Sequence, residues 1–126
     1  MAATLAIIER AHRGAVEQQF AHVLWLAHGL HRQTPMTVLL RGVAAVYALA
    51  QPPPPPLSFG KVTWGAAPDY QTAIGRLTRD GSRVLVSASS LAALAAATDP
   101  LLPQVNAVSD LDIAELVAAH DRVWFL

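Results

Sequence analysis

One hundred and twenty-six residues, 53% of them hydrophobic and 14% charged, are enough for one folded domain and too few for two. Nine basic residues balance nine acidic ones, which argues against the basic stripe that an autonomous nucleic-acid binder needs. The lack of cysteine excludes disulfides, thiolate metal sites, thiol nucleophiles and carriage of a persulfide.

The apolar run at 4–8 (TLAII) reads as a first strand. A helix follows over 14–32, because Val16, Phe20, Val23, Leu24, Ala27 and Leu30 make one stripe at helical spacing. Pro35 closes the turn into a second strand at 36–40 (MTVLL), apolar without alternation, as suits a strand covered on both faces. Residues 42–50 read as a short helix. The prolines at 52–56 cannot be helix or interior strand, so 51–67 is expected as a Pro-rich surface excursion.

A helix over 68–80 has Pro68 in its first turn and Gly81 as its stop. Residues 83–87 (RVLVS) are the third strand and 89–98 an Ala/Leu helix. A fourth strand is expected at 104–108. Ser109 caps a helix running to His120, with Asp112 completing a short capping box, and 122–126 (RVWFL) is the last strand. Strands and helices thus alternate about five times. The expectation is a single α/β domain over 1–126, with a mostly parallel sheet of about five strands and helices on both faces. Right-handed crossovers leave few topologies, a flavodoxin-like order among them. Ligands in such folds sit beyond the carboxyl ends of the strands, here 9–14, 41–42, 87–90 and 108–110.

No targeting segment is legible: Glu9 and Arg10 interrupt the first apolar run at once, unlike a signal peptide. The charge-free stretch 84–98 is shorter than the ~20 residues a bilayer helix needs. A soluble, cytoplasmic chain is expected, without membrane or direct nucleic-acid contact.

No glycine-rich phosphate loop follows any strand. Arg10 and Arg13, beside a helix start, could hold an anion; the plainer reading is a solvated loop. His28 and His31 are one turn apart and could reach one metal ion, but no third ligand is evident, so a polar helix flank is expected and no metal. His120 lies on the face of Ile113, Leu116 and Val117, where packing is its expected role. Ser87, Ser89 and Ser90 lack the glycines of a nucleophile elbow, and Ser89 or Ser90 is expected to cap the following helix. Trp25 falls opposite the core stripe of its helix, and Trp124 and Phe125 end the last strand without a charged tail. All three are candidates for a protein interface.

Three stretches carry a family resemblance. Leu39-Leu40-Arg41-Gly42-Val43, followed by Tyr47-Ala48-Leu49 and Gln51, looks like a strand ending in Asp-Gly-Val that leads into a helix. Residues 84–91 (VLVSASSL) look like a strand running into a Cys-Ala-Ala-Ser-Leu turn. Residues 111–126 (LDIAELVAAHDRVWFL) look like a final helix, an Asp and an apolar terminal strand. Together they resemble the DsrE/DsrF-like proteins, most closely the DsrF/TusC type. Two departures stand out: Arg41 replaces the acidic residue before the glycine, and Ser87 stands where the motif often has cysteine.

The resemblance implies a non-catalytic subunit or docking protein of a sulfur-transfer complex, in sulfur oxidation or tRNA thiolation, without a cofactor. It further implies a homo- or hetero-oligomer with DsrE-like subunits. The alternative is a stand-alone module that binds a small molecule or anion in a strand-end crevice lined by Arg10, Arg13, Arg41 and Ser87. No base–nucleophile pairing supports an enzyme.

Overall fold

In the computed structural model, residues 3–10, 22–50, 58–63 and 70–126 are described. Five strands make one parallel sheet: β1 (Thr4–Ile8), β2 (Met36–Leu40), β5 (Arg83–Ser87), β6 (Val105–Val108) and β7 (Arg122–Phe125). Their spatial order is β6-β5-β2-β1-β7. Register is fixed along the length of the sheet, with Thr4 beside both Met36 and Arg122, and Val38 beside both Ala6 and Val84.

The order explains how the layers form. From β1 to β2, β5 and β6 the chain always steps to the next strand on the same side. Right-handed crossovers then put α1 (His22–Gln33), the 3-10 helix (Gly42–Ala48), α2 (Tyr70–Arg79) and α3 (Ala88–Ala93) on one face. The step from β6 to β7 runs back across the sheet, so α4 (Asp110–Ala119) lies on the opposite face. Side chains follow this division. Ala6, Ile8, Val38, Leu40, Val84 and Val86 pack with Leu24, Ala27, Ile74 and Leu77. Leu5, Ile7, Leu39 and Leu85 meet Ile113 and Leu116 of α4. Both sets are buried, which is why these strands read as continuous apolar runs.

The α/β class, the five parallel strands and the two helical layers agree with the sequence expectation. Counted along the sheet strands alone, the order is 4-3-2-1-5, whereas flavodoxin reads 2-1-3-4-5.

Three local expectations need correction. The short helix expected over 42–50 is a 3-10 helix that ends at Ala48, entered through Gly42 at φ +58. The excursion at 51–67 contains a hairpin, β3 (Ser58–Phe59) with β4 (Val62–Thr63), turning at Gly60 with φ +59. The helix expected over 89–98 is α3, which begins at Ala88 and stops at Ala93. Its end is a Schellman motif: Ala96 N–H donates to Leu91 O at 2.8 Å and Ala95 N–H to Ala92 O at 3.0 Å, with Ala95 in the left-handed region at φ 56. The rest of the helix expected from residue 14, up to residue 21, lies outside the described residues, as do 51–57 and 64–69.

Candidate functional site

The carboxyl ends of β1, β2 and β5 open into one depression of about 480 Å³, lined by Glu9, Arg41, Gly42, Val43, Ser89, Ser90 and Ala93. Each residue is there for a local reason. Glu9 follows β1 and Arg41 follows β2, and because these strands are neighbours the two side chains meet, Arg41 Nη1 lying 3.4 Å from Glu9 Oε1. Both are about half exposed, so the pair fixes direction more than it adds stability. Gly42 takes a left-handed turn and points its N–H at Ser90 Oγ, 2.9 Å away.

Beyond Gly42 runs a chain of hydroxyls. Ser89 O–H donates to Asp110 Oδ1 at 2.8 Å. Ser87 Oγ lies 3.1 Å from Ser89 Oγ and accepts the Ser90 N–H at 3.2 Å. Since the Ser89 proton is committed to Asp110, the Ser87 hydroxyl is left as donor to Ser89. Proton donation thus runs from Ser87 through Ser89 to the carboxylate. No base withdraws a proton from Ser87, and the described imidazoles bond elsewhere: His28 and His31 to Asp80, and His120 to Leu116 O. The arrangement orders a helix start and holds no nucleophile–base pair.

The residues singled out in the sequence divide as follows. Arg41 lines the depression, but Glu9 neutralises much of its charge. Arg10 is exposed beside Glu9. Ser87 is 1% exposed and is the N-cap of α3, so the capping expected of Ser89 or Ser90 belongs to Ser87. The hydroxyls that do line the depression are those of Ser89 and Ser90. Arg13 and the Trp25 side chain lie outside the described residues. Trp124 is half-buried and packs against the larger core, while Phe125 is 68% exposed.

The sequence alone does not mark Glu9 as a site residue, because its partner is 32 positions away and only strand pairing brings them together. Ser90 and Asp110 had a legible signal in hindsight: a serine three residues after another at a strand-to-helix junction, and an acid opening the helix after the next strand.

No protein-family model matches the chain, and no curated protein matches it. Among solved structures, the YchN protein of E. coli is similar over 100% of both chains, with a TM-score of 0.77 and 18% sequence identity. The fold is DsrE-like. At that identity the likeness speaks for the path of the backbone alone, and the chemistry of the site is argued from the residues. No helix among the described residues is long and apolar enough to cross a membrane.

Proposed function

We propose that this chain is a cytoplasmic, non-catalytic DsrE-like subunit that supports sulfur transfer through protein contacts while carrying no sulfur itself. The observation that carries the reading is the end of β5. There the family motif often has a cysteine; Ser87 stands in its place, buried, accepting the Ser90 N–H and donating its own O–H to Ser89. A serine hydroxyl does not ionise near neutral pH and cannot hold a persulfide. The role left to such a subunit is to shape the assembly in which a cysteine-bearing relative of the same fold does the relay. Resemblance to the DsrF/TusC type supports this finer assignment, in either sulfur oxidation or tRNA thiolation.

Native mass spectrometry of the protein drawn from its own lysate tests the reading. The expected result is an assembly containing a cysteine-bearing DsrE-like subunit, with a labelled persulfide donor adding mass to that subunit and none to this chain. A complex lacking any thiol-bearing member would overturn it.

The depression favours a second reading, a small-ligand module. Glu9 beside Arg41 offers one acid and one base at one mouth, which suits a neutral polar or zwitterionic ligand better than an anion. A homo-oligomer that retains a small molecule in the same measurement would support it.

A further inference from the structure

The C-terminal turn of α1 is fastened to the rest of the molecule by two imidazoles that require different protonation states. His28 Nε2 lies 2.6 Å from Asp80 Oδ2, in the turn between α2 and β5. That bond is strongest between an imidazolium and a carboxylate. His31 is held from two sides. Its Nδ1 accepts the Met36 N–H at 3.2 Å, so that nitrogen carries a lone pair. Its Nε2–H donates to the Asp80 carbonyl oxygen at 2.8 Å. These partners fix His31 as the neutral Nε2–H tautomer. A second proton, on Nδ1, would set two N–H groups against each other and release the start of β2.

We infer that His28, His31 and Asp80 form a pH-gated clasp joining α1, the α2–β5 turn and β2, closed best when His28 is charged and His31 neutral, and loosened by acid and by alkali. The surrounding charges favour this mixed state. His28 and His31 are one turn apart, so a charge on one opposes a charge on the other. Arg32 of α1 adds a positive charge near Asp80. Arg83 of β5 and His120, at the end of α4, share with His31 the shallow depression at the amino ends of the strands. Among the described acids, Asp80 bonds His28, and the Asp121 carboxylate is engaged by the N–H of Ala3, which lines the same depression, at 2.8 Å. Asp80 is held below its ordinary value of 3.8, first by the His28 hydrogen bond and then by the positive charge of His28 and Arg32, to which a protonated His31 would add. It therefore stays anionic throughout the range in which imidazoles titrate.

Thermal unfolding from about pH 5 to 9 of the wild type, His28→Gln and His31→Gln tests the clasp, since glutamine can donate and accept without titrating in that range. Relative to His31→Gln, the wild type is expected to lose about 2–4 °C on the acid side. Relative to His28→Gln, its advantage is expected to fade by a similar amount on the alkaline side. Hydrogen exchange supplies a local readout: Met36 amide protection should fall several-fold on acidification in the wild type and hold in His31→Gln. Parallel melting profiles for all three proteins would overturn the inference. So would acid-insensitive Met36 protection in the wild type, or nitrogen shifts placing the neutral proton of His31 on Nδ1, neither of which depends on the variants folding.

Discussion

Ser87 and Ala95, eight positions apart at the two ends of the α3 segment, show how much a single side chain decides. Ser87 is a residue whose oxygen accepts the Ser90 N–H in the first turn of α3 while its own O–H donates to Ser89. A cysteine there would inherit a buried position. Ser87→Cys is therefore expected to resist alkylation in the native protein and to react fully only after denaturation, as intact mass after a timed alkylation pulse would show. Rapid native labelling would mean that the strand end opens in solution. Ala95 poses the reverse problem. Its φ of 56 is the left-handed conformation, which costs a residue with a Cβ roughly 1–2 kcal/mol and glycine very little. Ala95→Gly should stabilise the fold by about 1 kcal/mol in denaturant melts, because the Schellman bonds from Ala95 and Ala96 remain.

At the scale of elements, β7 separates two aromatic neighbours by pleat alone. Trp124 pairs with Ala6 and packs into the larger core, whereas Phe125 pairs with Ile7 on the α4 side and stands largely in solvent. Trp124→Ala is expected to destabilise the isolated chain by about 2 kcal/mol. Phe125→Ala should change it by less than about 0.5 kcal/mol. If Phe125 anchors a partner, its truncation weakens association instead, so chemical denaturation and sedimentation on the same two variants divide folding from docking.

The Asp80 pKa is lowered in the fold, so its contribution to stability is present above its ordinary value of 3.8 and is lost as pH falls through the lowered native value. Asp80→Asn should be less stable than wild type near neutrality and converge with it in strong acid, in melts at matched ionic strength.

For the molecule as a whole, periodicity and capping made most of the frame readable. The strands at 4–8, 36–40 and 83–87 match the sequence reading residue for residue, because each is a short apolar run between turn signals. The capping box from Ser109 to Asp112 is present with both of its bonds. What stayed hidden is what strand neighbours create. The Glu9–Arg41 pair, the Asp80 clasp and the bond from Gly42 to Ser90 all join residues more than 30 positions apart. The hairpin at 58–63 was obscured by the prolines before it, and the length of α3 by an alanine doing a glycine's work.

Leu111 at 70% exposure, Phe125 at 68% and Val43 at 54% are large apolar groups left open on a chain of zero formal charge. A specific interface needs roughly 800 Å² from each partner, about a tenth of the 7321 Å² this chain exposes. Sedimentation velocity at micromolar concentration is expected to show a species larger than a monomer; a single monomeric boundary, alone and with co-purified partners, would remove the docking role.

The seam between β1 and β7 has a consequence in time as well as in space. Thr4 pairs with Arg122, and the Asp121 carboxylate reaches back to the Ala3 N–H across 118 positions of sequence. While β1, β2 and β5 can zip in the order in which they are made, one edge of β1 waits for β7, with its ladder groups unpaired throughout synthesis. Closing a loop that long is slow, and an open strand edge is a template for pairing with other chains. Aggregation of this protein should therefore be decided before β7 arrives: nascent chains stalled short of residue 122 should cling to chaperones, and chains extended past Phe125 should let go.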